Sequence, residues 1–206
     1  MNLICNNCGG ADIYRLLGKE YNNPFIWCVT FAKDFINIIS NYRNINFNNF
    51  ELTRLTADIA KTAQYYEFND GKCICGITVD NKFTIYYTHY CYSPLYSTPT
   101  KIGPDIWYNK NFEYVYEKYI ERKDKMLKVN EEPVFFIIAF QRHGWTKENI
   151  EKLLQLKTNY KICLITDKNY SSNEINKKII YEPKLEQLKF PLDVIKKHFS
   201  FIVNFI

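Results

Sequence analysis

A cysteine among small and polar residues lies near the start of the chain, in Cys5-Asn6-Asn7-Cys8-Gly9-Gly10. The segment follows a short apolar stretch, residues 2–5, and precedes a helical pattern over residues 11–17. Backbone N–H groups at the start of a helix have no partner within it, so such a turn can hold a phosphate, a carboxylate or an oxyanion. A helix N-terminus also stabilises a thiolate, which makes Cys8 a candidate nucleophile. The candidate ligand-binding residues here are Asn6, Asn7, Gly9 and Gly10.

A structural alternative exists for the same segment. Asparagine and glycine also occur in tight turns because they tolerate the left-handed backbone conformation. On this interpretation the segment positions a strand and a helix and binds nothing, and Cys8 is inert packing.

A second polar loop, Gln141-Arg142-His143-Gly144-Trp145, also separates an apolar strand pattern from a helical one. His143 is a candidate general base near neutral pH, and Arg142 a candidate ligand of phosphate. Paired with Cys8, His143 would permit acyl transfer or hydrolysis, with the N–H groups of Gly9 and Gly10 as an oxyanion hole. The alternatives for His143 are capping the next helix or facing solvent.

Two further candidates lie in the middle of the chain. His89, next to Tyr90 at the end of an aromatic strand pattern, is a candidate catalytic residue, with a core or rim histidine as the alternative. Arg122 is a candidate ligand of a diphosphate, with Tyr90 as a further ligand-binding residue. The alternative for Arg122 and Lys123 is the solvated face of an amphipathic helix.

The periodicity predicts an α/β fold with a mixed, largely parallel sheet covered by helices and an antiparallel hairpin in the middle of the chain. Residues 133–140 are almost continuously apolar, which is typical of a central parallel strand, and residues 160–166 form a similar strand. The other predicted elements are strands at 2–5 and 25–29, a hairpin at 73–90, and helices at 33–42, 56–65, 111–128 and 146–156. The apolar ending, residues 199–206, is expected to be a buried last strand or helix end.

Ligands of open α/β sheets lie outside the carboxyl ends of the strands, so the loops at 6–10, 141–145 and 166–169 are expected to share one rim. We predict a single domain over residues 1–206. The alternative is two lobes, 1–68 and 130–206, that pack together with the hairpin and long helix of 72–128 between them.

The composition of the chain argues against several classes of function. The 206 residues carry a net charge of +5 that is spread along the chain, and no nucleic-acid signature is present, so we expect no nucleic-acid partner. No transmembrane segment and no targeting element is found, which predicts a cytoplasmic protein. The seven cysteines are an odd number, which argues against a disulfide framework. Zinc bound by Cys5, Cys8, Cys73 and Cys75 is disfavoured by the Cys-x-Cys spacing. We predict no metal and no cofactor.

Several short motifs occur in the order found in a known family. They are Cys5-Asn6-Asn7-Cys8-Gly9-Gly10, Tyr21-Asn22-Asn23-Pro24-Phe25, Thr88-His89-Tyr90, Tyr119-Ile120-Glu121-Arg122-Lys123 and His143-Gly144-Trp145-Thr146. On these motifs the chain resembles an uncharacterised bacterial family whose members are often labelled exopolysaccharide biosynthesis proteins and open with Ser-Asn-Asn-Cys-Trp-Gly-Gly. Here Cys5 replaces the serine, the tryptophan after Cys8 is missing, and His143 stands where the family has an aspartate.

The resemblance implies an α/β fold and a role in cell-surface glycan assembly, and it supplies no reaction. Our first hypothesis is a transferase of exopolysaccharide or capsule assembly that acts on a sugar nucleotide or similar phosphate-activated donor. The second is a Cys8-dependent hydrolase or acyltransferase acting on glycan substituents. The third is a glycan-binding or assembly scaffold without enzymatic activity. The oligomeric state is not predicted.

Overall fold

Two separate sheets organise the computed structural model, which describes residues 2–55, 74–87, 104–188 and 191–206. The strands, in chain order, are β1 (Leu3–Cys5), β2 (Phe50–Leu55), β3 (Ile74–Val79), β4 (Phe83–Tyr86), β5 (Val134–Ile138), β6 (Lys161–Thr166) and β7 (Lys177–Tyr181). The parallel sheet has the order β1-β5-β6-β7, and β2-β3-β4 form an antiparallel sheet. The predicted mixed α/β fold is confirmed.

The parallel sheet is covered on both faces. All five residues of β5 are buried, as a central parallel strand requires. Because side chains alternate across a strand, Phe135 and Ile137 join one apolar cluster while Phe136 and Ile138 join another. The first cluster also contains Ile77 and other residues of the antiparallel sheet, which therefore packs over one face of the parallel sheet.

Helices provide the rest of the covering. Within the described residues they are α1 (Gly9–Leu16), α2 (Ala32–Asn41), α3 (Pro104–Lys128), α4 (Lys147–Gln155) and α5 (Pro191–Phe205). Helices α1 and α5 contribute to the second cluster, whereas α2, α3 and α4 contribute to the first. None of the helices in the described ranges is long and apolar enough to cross a bilayer.

The antiparallel sheet is larger than the predicted hairpin. Its turn at Asp80 and Asn81 lies within the hairpin predicted at residues 73–90, and both residues have left-handed φ angles, 54° and 53°, which suit the right-handed twist of a hairpin. The sequence did not reveal β2 as its third strand. That strand lies next to a segment, residues 56–73, outside the described part of the chain.

Some predicted elements differ from the structure. Residues 25–29 were expected to form a strand, but most of them make a turn, and only Val29 forms a bridge, with Tyr86. Phe25, Ile26, Cys28 and Val29 are buried in the core although most of the segment is a turn, so burial and strand pairing do not coincide here. The predicted helix at residues 56–65 lies outside the described residues, and the apolar ending is helix α5.

Candidate functional site

The carboxyl ends of β1, β5 and β6 lie side by side, because these strands are parallel and adjacent. The register pairs Cys5 with Phe136 and Ile138 with Ile165, so the loops that follow each strand start at the same edge of the sheet. The predicted common rim of the loops at 6–10, 141–145 and 166–169 is therefore present. We refer to this rim, with Cys8 and Arg142 on it, as the carboxyl-edge site.

Asn6 and Asn7 join β1 to β5. The Asn6 side chain donates from Nδ2 to the carbonyl oxygen of Ile138 (3.1 Å) and accepts the Ile138 N–H at Oδ1 (3.0 Å). Asn7 Nδ2 donates to the same carbonyl oxygen (3.2 Å). Both side chains are fully buried. These amide groups already bond the backbone, which supports the structural alternative, and their role in ligand binding stays a prediction.

Gly9 and Gly10 also have a structural role, in the packing of α1 against the parallel sheet. The Gly9 N–H donates to Asn7 Oδ1 (3.0 Å), and the Gly10 N–H points to the Asn7 carbonyl oxygen (3.4 Å). A Cβ on Gly9 would lie 2.9 Å from Ile138 Cδ1, and one on Gly10 would lie 2.7 Å from Cys5 Cβ. The two glycines let α1 approach the sheet closely. The Gly9 N–H is taken and both residues are buried, which argues against their use as anion or oxyanion donors, and that use stays a prediction.

Cys8 occupies the N-cap position of α1 and is half-buried. The pKa of its thiol is raised to about 11, first by burial and then by the negative charge of Asp12, while the charge of Arg142 acts in the opposite direction. The stabilisation expected from the helix N-terminus is therefore outweighed, and the thiol is protonated at neutral pH. Cys5, Cys28 and Cys163 are buried, so Cys8 is the most accessible of the cysteines whose side chains are described.

Arg142 carries a positive charge at the carboxyl-edge site, next to Cys8. Its guanidinium lies over the ring of Phe140, 4.0 Å from the ring centroid, and the side chain is half-buried. Among the described residues, no carboxylate or carbonyl oxygen accepts a hydrogen bond from it. Stacking on an aromatic face leaves the edge of a guanidinium, which carries its donors, available for a ligand.

His143 is buried, with 5% of its surface exposed, and packs edge-on against Phe140 with ring centroids 5.8 Å apart. Burial lowers the pKa of His143 to about 3, and the charge of Arg142 contributes. The imidazole is therefore neutral at pH 7 and weakly basic. This environment argues against the predicted role as a general base poised near neutral pH.

Arg122 and Lys123 are buried instead of lying on a solvated face. Arg122 Nη1 donates to the carbonyl oxygen of Ile26 (2.9 Å), next to Trp27, whose φ of 59° is left-handed. Lys123 Nζ donates to Asn48 Oδ1 (2.7 Å). Arg122 thus supports the turn before α2, which argues against contact with a diphosphate, and that contact stays a prediction.

His89 and Tyr90 lie outside the described residues, and their roles stay predictions. Among the residues that are described, no three His, Cys, Asp or Glu side chains are grouped as a metal site requires. A cleft of about 650 Å³ lies at the opposite, amino edge of the parallel sheet, beside Asn2, Glu131 and Lys161. It holds none of the predicted site residues.

The sequence analysis missed a buried acidic residue at the end of β7. Glu182 is bonded by His198 Nε2 (2.9 Å) and Lys197 Nζ (2.6 Å), both from α5. Although burial raises the pKa of Glu182, the bonds from Lys197 and His198 lower it by more. The sequence signal was a carboxylate directly after the β-branched and aromatic residues 179–181. These three side chains tie α5 to the sheet.

No family model matches the chain, and no curated protein is significantly similar to it.

Proposed function

We propose that this protein is a transferase of cell-surface glycan assembly that binds a phosphate-activated sugar at the carboxyl-edge site. The class of substrate comes from the motifs that resemble exopolysaccharide biosynthesis proteins. The parallel sheet supports the proposed position of the binding site, because ligands of such sheets bind outside the carboxyl ends of their strands.

The observation that carries this proposal is the state of Arg142. A half-buried guanidinium that stacks on Phe140 and has no protein acceptor among the described residues can form two parallel hydrogen bonds with a phosphate. Arg43 and Arg15, in contrast, pair with Glu132 and Asp12. In the proposal Arg142 neutralises the donor phosphate, and Cys8 lines the site as a neutral thiol.

The base that would deprotonate the acceptor hydroxyl is not one of the described rim residues. His143 is buried and weakly basic, so His89 stays the sequence-based prediction for this role. A His89→Gln variant is expected to lose turnover while it retains donor binding.

A Cys8-dependent hydrolase or acyltransferase is less well supported. A thiol with a pKa of about 11 is not a ready nucleophile, and Asp12 opposes its ionisation. A Cys8→Ala variant with full activity on a discovered substrate would remove this alternative.

The test is binding of UDP-, GDP-, CMP- and dTDP-sugars at millimolar concentration, measured by native mass spectrometry and calorimetry. We expect one nucleotide class to bind. Arg142→Gln is expected to weaken binding by roughly 10- to 100-fold, because a hydrogen bond to a charged group contributes about 1.5–3 kcal/mol. Arg43→Gln, an exposed arginine paired with Glu132, is the matched control and is expected to bind as wild type.

Two results would contradict the proposal. One is the absence of binding by every sugar nucleotide in the panel. The other is undiminished binding by Arg142→Gln, which would place the ligand elsewhere. Binding of a sugar without turnover of any acceptor would instead support the non-enzymatic glycan-binding scaffold.

A further inference from the structure

The N-terminus of α2 lies at the same rim as the loops of the carboxyl-edge site. Thr30, two residues before the helix, donates its N–H to the carbonyl oxygen of Asn6 (2.9 Å), just after β1. On the other side, a Cβ built on Gly144 would lie 3.9 Å from the nitrogen of Ala32. The first turn of α2 is thus placed between the loop after β1 and the loop that carries Arg142.

The first backbone donors of α2 have no protein acceptor within the described residues. Ala32, Lys33 and Asp34 precede the first N–H that is bonded, that of Phe35, which donates to the carbonyl oxygen of Phe31 (2.8 Å). Phe31, the N-cap residue, carries no side-chain oxygen that could accept from them. Because Ala32 is only 1% exposed, its N–H is also shielded from water, and buried N–H groups without a partner are rare.

A buried hydroxyl group belongs to the same segment. Thr30 is fully buried, and its Oγ1 forms no hydrogen bond with any described residue. Its Cα lies at most about 7 Å from that of Ala32, two residues along the chain. Most buried polar side chains are hydrogen-bonded, so an unpaired one calls for a specific explanation such as a ligand. The hydroxyl and the N–H groups therefore call for one kind of partner, a group whose oxygens accept hydrogen bonds.

Gly144 leaves room for such a group. Its φ of 77° is left-handed, and a Cβ on it would meet Cβ and N of Ala32 at 3.8 and 3.9 Å. The space above this glycine thus opens on the Ala32 N–H. Lys33 is exposed in the same turn and adds a positive charge. Asp34 carries the opposing charge, and its Oδ2 already accepts the N–H of Thr84 (3.2 Å).

We propose that the N-terminus of α2 is a phosphate subsite, in which the Thr30 hydroxyl and the N–H groups of Ala32 and Lys33 hold one phosphate group. The free N–H groups and the dipole of a helix N-terminus both favour an anion. The inference rests on the proposed function for the identity of the ligand, a sugar donor. Arg142 belongs to the same short loop as Gly144 and binds a neighbouring phosphate, so the preferred donor carries a diphosphate.

The first test uses inorganic phosphate and pyrophosphate as probes. We expect both to shift the amide signals of Ala32 and Lys33 in heteronuclear NMR spectra of the wild-type protein, whereas sodium chloride at equal ionic strength leaves them in place. Thr30→Val removes the hydroxyl with little change in shape and should weaken phosphate binding roughly 10-fold. Because that hydroxyl has no partner in the free protein, the variant should melt at the wild-type temperature or above it. Thr30→Ser keeps a hydroxyl and should bind as wild type.

Two glycines provide a matched pair for the second test. Gly144 and Gly18 both have left-handed φ angles, 77° and 62°, so alanine strains the backbone similarly at either position. A Cβ on Gly144 would lie next to the Ala32 nitrogen, whereas one on Gly18 would meet nothing within 4 Å. We expect Gly144→Ala to weaken phosphate binding roughly 10-fold and Gly18→Ala to bind as wild type.

The sugar nucleotides test the diphosphate and separate this inference from the proposed function. UDP-, GDP- or dTDP-sugars should bind more tightly than CMP-sugars, which carry one phosphate. If sugar nucleotides bind through Arg142 while Thr30→Val and Gly144→Ala bind them as wild type, the subsite is wrong and the proposed function stands. If no sugar nucleotide binds while inorganic phosphate binds and responds to both variants, the subsite stands and the proposed function is wrong.

Three results would overturn the subsite. One is an unchanged Ala32 signal in phosphate, which would leave water as the partner of these groups. The others are undiminished phosphate binding by Thr30→Val and equal effects of Gly144→Ala and Gly18→Ala. If Gly144→Ala does not fold, the NMR titration and Thr30→Val decide alone.

Discussion

The side-chain amide of Asn6 hydrogen-bonds both backbone groups of Ile138, donating to its carbonyl oxygen (3.1 Å) and accepting from its N–H (3.0 Å). Asn6 thereby continues the pairing of β1 with β5 past the end of β1, and it sets the position of Cys8 relative to the loop that carries Arg142. A residue two positions before the accessible cysteine thus extends the hydrogen bonding of the sheet.

We expect Asn6→Ala to lower the free energy of unfolding by about 1–3 kcal/mol, because the buried Ile138 N–H loses its acceptor, while the Ile138 carbonyl oxygen keeps its bond from Asn7. Asn6→Asp is expected to be at least as damaging, since it opposes a carboxylate oxygen to the Ile138 carbonyl oxygen. Urea unfolding measures both. Asn173→Ala, at an exposed loop position, is the control and should change stability by less than about 0.5 kcal/mol. Equal stability of Asn6→Ala and Asn173→Ala would show that the two hydrogen bonds between Asn6 and Ile138 do not stabilise the fold.

Cys8 should react slowly with iodoacetamide in the native protein. At pH 8 a thiol with a pKa of about 11 has roughly 100-fold less thiolate than an unperturbed one. Asp12→Asn removes a charge that raises the pKa and should speed alkylation. Arg142→Gln removes a charge that lowers the pKa and should slow it.

The alkylation rates are measured by peptide mass mapping, which separates Cys8 from the other cysteines. Opposite effects of the two variants are the diagnostic result. A shift in the same direction for both, or a wild-type rate equal to that of free cysteine, would contradict the proposed electrostatics.

His143 should make the fold sensitive to acid. Its pKa is about 3 in the folded state and near 6.5 in the unfolded chain, so the folded state binds fewer protons between these values. The stability that this neutral imidazole contributes is fully present above pH 6.5 and is lost as the pH falls towards 3. The loss per titrating histidine is about 1.4 kcal/mol per pH unit.

The comparison is denaturant unfolding of wild type and His143→Gln between pH 7 and pH 4. Carboxylates titrate in both proteins, so the difference in slope isolates His143. We expect a shallower slope for the variant, whatever its stability at pH 7. Parallel slopes would mean that His143 is accessible and protonates in the folded state.

Lys177 should be important for stability although it is a lysine on an edge strand. Its side chain is 1% exposed, and Nζ donates to the carbonyl oxygens of Leu154 (2.8 Å) and Leu156 (2.7 Å) at the end of α4 and to Glu174 (2.7 Å). Lys177→Met keeps the volume and leaves both carbonyl groups unsatisfied, so we expect a loss of about 3 kcal/mol in urea unfolding.

Lys152→Met is the control for Lys177→Met. Lys152 is exposed and pairs with Glu148 on the surface of α4, so its replacement should cost less than about 0.5 kcal/mol. A similar small loss for Lys177→Met would indicate that water replaces the ammonium group at the end of α4.

The fold was predictable where periodicity and burial agree. Residues 133–140 are apolar at every position because β5 is covered on both faces, and the sequence shows this directly. The same criterion failed at residues 25–29, which are apolar because they are buried and yet form a turn. Hydrophobicity reports burial, and the backbone conformation of a short apolar segment depends on which hydrogen-bond partners are near.

The position of the candidate site in the fold could be predicted from the sequence better than the roles of its residues could. The adjacency of Cys8 and Arg142 follows from parallel strands with similar loop positions, which sequence can indicate. The roles of Asn6, Asn7 and Gly9 depend on Ile138, more than a hundred residues away along the chain. Likewise, Arg122 resembles a surface residue by its neighbours in sequence, and only the approach of Ile26 shows that it is buried. Such long-range partners are not visible in local patterns.

The outer edge of β1 limits how the parallel sheet can be extended by further strands. Tyr14 and Asn23 occupy the outer hydrogen-bonding groups of Leu3, so that side of the sheet offers no template for a further strand. Tyr14 and Asn23, which fix the N-terminal strand, thus also protect this edge of the sheet from pairing with another chain.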